Sequence, residues 1–208
     1  MRTTSLTLHE GLWEGSRVRW LTSPGERTRA LELAFLAGCG FLAAVASGYL
    51  DFRLRIPGHA ILRVIFPMVL GLAVVPRRGA GTVMGASALV TGLGMRALLP
   101  LGGFSVGALA SLTLTGPLLD LSLRHARAGW RLYAGFAMAG LAANLVAFVM
   151  RGGAKLLGLE HLGARPFSEW MLHASFSYLV CGLVAGLVSG VIWFQATRPR
   201  GRSEEPSG

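Results

Sequence analysis

Four polar or charged side chains fall at similar depths within otherwise apolar segments of this 208-residue chain. They are Arg63, Arg96, Asn144 and His173. An ionisable group in hydrocarbon is costly and is usually retained for a task. No acid occupies the positions three or four residues from Arg63, and arginine donates well to oxyanions. The pattern therefore favours a polar pocket for an anionic or strongly hydrogen-bond-accepting ligand.

The predicted ligand site combines these residues with three more at the outer end of the same segments. Its members are His59, Arg63, Arg96, Asn144, His161, Trp170 and His173. Each has a simpler interpretation. Arg96 could extend to the lipid headgroups, His173 and Trp170 could anchor at the interface, and Asn144 could form an interhelical hydrogen bond.

About six apolar segments must position these residues, and each is roughly long enough to cross a bilayer. They are Ala30–Leu50, Ile56–Val75, Ala80–Leu99, Leu101–Leu123, Trp130–Met150 and Trp170–Phe194. Hydrophobic residues make up 52% of the chain and charged residues 14%, a composition that excludes an ordinary soluble domain. The sequence predicts an all-α integral membrane protein, a compact bundle of about six transmembrane helices over residues 30–197. Residues 1–29 are expected to form a cytoplasmic or interfacial segment, and residues 198–208 a disordered cytoplasmic tail.

Loop charges predict the orientation. With a cytoplasmic N-terminus, thirteen arginines fall on the inner side and six basic residues on the outer side. The positive-inside rule then places both termini in the cytoplasm, as expected for a multi-pass protein of the inner (cytoplasmic) membrane. The net charge of +10 is explained by these loops and by contacts with anionic lipid, so no nucleic-acid partner is expected.

Neither cofactor nor metal is predicted. Cys39 and Cys181 lie within apolar spans without CxxC spacing, so they indicate neither a disulfide framework nor a zinc site.

The two outer connections and one pair of charges carry further expectations. Pro57 and Gly58 predict a turn or a shallow re-entrant loop at the entry to the second span. The stretch Arg151–Glu169 is long enough to act as a lid or binding loop over the ligand. Asp120 lies four residues before Arg124, which predicts a structural ion pair.

Small residues at helical spacing predict close helix contacts. The clearest series is Gly182, Gly186 and Gly190, and Ala30 and Ala34 repeat the spacing in the first span. These five residues are the predicted interface with a membrane partner. Packing within the bundle is the alternative for each ridge.

Three short motifs resemble the substrate-binding membrane subunits, or S components, of energy-coupling-factor (ECF) transporters. They are Ile56–Ala60, the glycine-rich Gly79–Ala86, and Gly116–Asp120. The resemblance implies a six-helix protein that captures a vitamin or related micronutrient from outside. It also implies docking of the first helix, through Ala30 and Ala34, on a transmembrane coupling subunit. The chain has no GxxxxGK[ST] motif, so separate ATPase subunits would drive transport.

Two other classes compete with this interpretation. Gly103–Gly107 matches GxSxG, and Ser105 with His173 resembles the catalytic pair of rhomboid intramembrane proteases. Val106 after Ser105 and the missing HxxxN pair in the second span depart from that family, so an enzyme is not the favoured prediction. A non-transporting scaffold or assembly protein would use the glycine ridges as interfaces and would need no outer pocket.

Overall fold

The computed structural model describes residues 26–50, 58–75, 79–98, 105–124, 130–158 and 167–196. Within these ranges the chain forms six helices and no strand, which confirms the all-helical prediction. The helices are α1 Glu26–Tyr49, α2 Ile61–Val74, α3 Ala80–Leu98, α4 Val106–Leu123, α5 Trp130–Leu156 and α6 Phe167–Ala196. Residues 1–25 of the predicted N-terminal segment and the predicted tail 198–208 lie outside the described residues.

Four of these helices contain segments that are long and apolar enough to cross a membrane, judged by length and composition. The segments are Ala30–Tyr49 in α1, Val106–Leu123 in α4, Trp130–Leu156 in α5 and Trp170–Trp193 in α6. They indicate a multi-pass membrane protein. Helix α2 is apolar but has only 14 residues, about 21 Å at 1.5 Å per residue.

The short helix α2 is enclosed by the other five. It packs mainly between α1 and α6, and it also contacts α3, α4 and α5. Nine of its 14 residues are buried. The indole Nε1 of Trp193 on α6 donates to the Phe66 carbonyl oxygen at 2.9 Å. Between helices in lipid, packing and hydrogen bonds replace the hydrophobic effect, and α2 is held by both.

Successive helices run in opposite directions, so the bundle has two distinct ends. At one end, Lys155 of α5 meets Trp170 of α6. At the other, Asp120 of α4 meets the start of α3. We refer to these as the Trp170 end and the Asp120 end. The Trp170 end is the one for which the sequence predicts an outer, ligand-facing position.

Asp120 caps α3, and the predicted ion pair with Arg124 is wrong. Its carboxylate oxygens accept from the backbone N–H of Gly81 at 3.0 Å and of Thr82 at 2.7 Å. The Thr82 hydroxyl donates to the same carboxylate at 2.8 Å. The first N–H groups of a helix lack partners within the helix, and a carboxylate also suits the positive end of the helix dipole. Asp120 therefore fastens α4 to α3, while Arg124 is exposed.

Helix α5 extends beyond the boundary predicted at Met150. It continues through Gly152 and Gly153 to Leu156, although glycine is a poor helix former. Ala154 and Lys155 are buried in the last turn, so tertiary packing outweighs the cost of the two glycines. The first part of the predicted Arg151–Glu169 loop is therefore helix.

The glycine ridge of α6 packs inside the bundle, which corrects its assignment as a partner interface. A Cβ added at Gly186 would overlap the Phe136 carbonyl oxygen, and one at Gly190 would lie 2.8 Å from the Phe136 ring. One at Gly182 would lie 2.7 Å from the Gly140 carbonyl oxygen. All three positions face α5 of the same chain. We call this region, from Phe136–Gly140 on α5 to Gly182–Gly190 on α6, the glycine seam.

Candidate ligand-binding site at the Trp170 end

Beyond the glycine seam, α5 and α6 meet through large side chains. Helix α5 contributes Asn144, Phe148, Arg151 and Lys155, spaced by four, three and four residues, which places them along one face of the helix. Helix α6 continues its own stripe, spaced by four residues, with Tyr178, Ala174 and Trp170. Two stripes of opposite direction therefore face each other at the Trp170 end.

Asn144 marks the boundary between the glycine seam and this region. It is 2% exposed, and its Nδ2 donates to the carbonyl oxygens of Tyr178 at 2.7 Å and Gly58 at 3.2 Å. Gly58 lies in the turn before α2 with φ of 83°, and the predicted turn is confirmed there. A Cβ at Gly58 would lie 3.0 Å from both Asn144 Nδ2 and the Tyr178 backbone. Asn144 thus joins α5, α6 and the start of α2. This is the interhelical hydrogen bond that the sequence analysis gave as its simpler interpretation.

On the side of Asn144 towards the Trp170 end, three aromatic rings form a contiguous cluster. Phe148 stacks on Trp170 with ring centroids 5.8 Å apart and an interplanar angle of 22°. It also contacts Tyr178 at 5.4 Å in a tilted arrangement. Such pairs contribute about 0.5–1.5 kcal/mol each beyond the area they bury. The cluster gives this end of the α5–α6 interface an apolar wall.

Two cations lie against this wall. Arg151 Nη1 donates to the Tyr178 hydroxyl oxygen at 3.4 Å. The Lys155 ammonium lies 4.2 Å from the centroid of the Trp170 ring, within the range of a cation–π interaction. Lys155 is only 7% exposed. Lysines at helix ends commonly extend to headgroups and water, whereas this one is turned towards α6.

We call the six residues Asn144, Phe148, Arg151, Lys155, Trp170 and Tyr178 the Trp170 cluster. It combines cationic donors, a hydroxyl and an aromatic surface at one end of a helical bundle. Ligand sites within bundles are commonly built from apolar walls with a few converging polar groups. The arrangement has the features of a ligand-binding site. Among the residues that the structure describes, no group of three or more His, Cys, Asp or Glu side chains could hold a metal ion.

The sequence-predicted site is only partly assembled. Asn144 and Trp170 belong to the Trp170 cluster, and His59 follows Gly58 in the turn that Asn144 holds. Arg63 Nη1 donates to the Leu50 carbonyl oxygen and so joins α2 to the end of α1. Arg96 and His173 are exposed on α3 and α6, respectively. His161 lies outside the described residues.

The structure adds four residues that the sequence analysis did not place in the site: Phe148, Arg151, Lys155 and Tyr178. A usable signal was present, because the spacing from Asn144 to Lys155 follows one helix face. The assumed helix end at Met150 interrupted that series. Arg151 and Lys155 were therefore counted as loop charges.

Comparison with protein-family models, with curated proteins and with solved structures finds no match to this chain. The candidate site accordingly depends on its own geometry.

Ser105, the centre of the GxSxG match, has a structural role. It is the N-cap of α4, and its side-chain oxygen accepts from the Ala108 N–H at 3.2 Å. This is the preferred use of serine at a helix start. Helix α4 packs chiefly on α3 and α5, whereas His173 is exposed on α6.

The other predicted interface residues, Ala30 and Ala34, are exposed on α1. Gly38 continues the spacing by four and is also exposed, with nothing within 4 Å of an added Cβ. This series, which we call the α1 stripe, differs from the glycine seam. Small residues remain uncovered on α1, whereas on α6 they are covered by α5.

Proposed function

We propose that this chain is the membrane-embedded capture subunit of an importer for a vitamin or related small molecule, of the ECF S-component type. The Trp170 cluster carries the proposal. A buried ammonium and a partly buried guanidinium lie beside three aromatic rings at one end of a bundle. Arginine has five N–H donors and lysine three, so these side chains can present donors to a ligand that enters from this end.

The proposed arrangement in the membrane has six crossings with both termini in the cytoplasm. Helices α2 and α3 would cross with the other four, because the bundle encloses α2. The bias of loop arginines supports this orientation. The Trp170 end would then face outside, where a capture subunit meets its ligand. Cysteine-accessibility labelling tests the orientation, since labelling of Glu160→Cys from the cytoplasmic side would contradict it.

The α1 stripe supports docking on a coupling subunit. Small residues in a row allow another transmembrane helix to approach closely, and the stripe is exposed among the residues that the structure describes. Energy would come from separate ATPase subunits, because the chain has no phosphate-binding loop of its own. Transport would thus require a complex, with this chain supplying the selectivity.

The test is gentle detergent extraction of the tagged chain, followed by identification of co-purifying subunits. We expect an ATPase and a transmembrane coupling subunit with the wild type, and their loss with Ala34→Leu. Leu31 is 65% exposed on the same helix, so Leu31→Ala is a matched control that should retain both. Ligand transport by the chain alone, or absence of ATPase subunits from the wild-type complex, would contradict the proposal. Partner binding without ligand binding would instead indicate a scaffold.

A further inference from the structure

Arg151 and Lys155 are like charges on one face of α5, four residues apart. Like charges at this spacing repel each other on a helix. Both nevertheless turn towards α6, where Arg151 contacts Tyr178 and Lys155 contacts Trp170. The fold therefore places two cationic side chains side by side at the α5–α6 interface.

Burial strengthens the electrostatic interactions of the Lys155 ammonium. Lys155 is 7% exposed, and electrostatic interactions are stronger where water is excluded. Side chains four residues apart on a helix are about 5–6 Å apart at their Cβ atoms. Side chains as long as these can converge on the oxygens of one carboxylate or phosphate group, for which arginine offers a planar pair of donors.

We infer that the Trp170 cluster binds a small organic anion whose carboxylate or phosphate group lies between Arg151 and Lys155. The apolar remainder of the ligand packs on the cluster formed by Phe148, Trp170 and Tyr178. This inference rests on the proposed capture function, because it takes the Trp170 cluster as the ligand site. It differs from the sequence-based expectation, in which Arg63 and Arg96 hold the anion.

The experiment is calorimetric titration of the purified, delipidated chain with benzoate, benzyl phosphate, inorganic phosphate and neutral benzyl alcohol. We expect saturable binding of at least one oxyanion and none of benzyl alcohol. Arg151→Gln and Lys155→Met should each weaken that binding about tenfold or more, as expected for loss of a charge-assisted hydrogen bond. Lys155→Arg should restore it. Arg131→Gln removes the same charge from an exposed position on α5 and should leave affinity unchanged.

A second readout comes from Trp170, whose ring contacts the Lys155 ammonium. An anion that attracts Lys155 should change tryptophan fluorescence, and Trp170→Phe should abolish that change. Equal binding of benzyl alcohol, no saturable binding of any oxyanion at millimolar concentration, or unchanged affinity in Arg151→Gln and Lys155→Met would overturn the inference.

Two further results distinguish failure of this inference from failure of the proposed function. Oxyanion binding that depends on Arg151 and Lys155, in a chain that recruits no ATPase subunit, would uphold the inference and contradict the importer. Displacement of bound benzoate by phosphatidylglycerol, but not by phosphatidylcholine, would identify a lipid headgroup as the source of the oxyanion. That result would keep the oxyanion site and contradict capture of a soluble ligand.

Discussion

The two halves of the α5–α6 interface are built by opposite means. In the glycine seam, backbone meets backbone, and an added Cβ at Gly140 or Gly186 would overlap a carbonyl oxygen of the facing helix. In the Trp170 cluster, large side chains meet, and two of them are cationic. One pair of helices thus supplies a rigid contact at one end and a chemically varied surface at the other. The difference assigns stability to the first half and, in our proposal, ligand recognition to the second.

The largest effect is expected from filling the glycine seam. Gly140→Leu should destabilise the bundle by more than about 3 kcal/mol, because overpacking against a facing backbone cannot be relieved by a side-chain rotation. Gly153→Leu is the matched control on the same helix, since nothing lies within 4 Å of an added Cβ there. Thermal unfolding in detergent measures both. Equal melting temperatures for the two variants would show that the seam is not a close contact.

A smaller loss is expected at the boundary between the two halves. Asn144→Ala removes the donors to Gly58 and Tyr178 and should cost about 1–3 kcal/mol, because the buried Gly58 carbonyl loses a partner. Thr113→Val is the control, since its hydroxyl donates only within α4, to Leu109. Comparable denaturation midpoints for the two variants would contradict a joining role for Asn144.

The smallest effect is expected at the Asp120 end, away from the Trp170 cluster. Asp120→Ala should cost about 1 kcal/mol through loss of the α3 cap, and it should leave ligand affinity unchanged. Arg124→Ala should have no measurable effect on stability, because Asp120 bonds to α3. The unfolding free energies of the single and double variants distinguish the alternatives. Non-additive losses of unfolding free energy would show that Asp120 and Arg124 interact, as the sequence predicts.

Local patterns predicted what is local in this fold. Apolar segments predicted the helices, Gly58 predicted a turn, and the glycines at spacing four on α6 predicted a close helix contact. Sequence could not assign the cap of α3, because Asp120 lies 38 residues from Thr82 along the chain.

The two cations of the site, Arg151 and Lys155, were missed for a different physical reason. Gly152 and Gly153 favour a helix end by intrinsic propensity, whereas the burial of Ala154 and Lys155 keeps the helix going. That burial depends on contacts with other helices, which the sequence of α5 alone does not reveal. The same limit applies to the two small-residue ridges, which have similar spacing in the sequence and opposite exposure in the fold.

The central claim is that the Trp170 cluster holds a small organic anion, and native mass spectrometry of the chain purified from its own membranes tests it most directly. We expect a bound small anion with the wild type and with Arg131→Gln, and none with the double variant Arg151→Gln, Lys155→Met. A folded double variant that retains the same bound molecule as the wild type would contradict the claim, as would a wild-type chain that carries no anion.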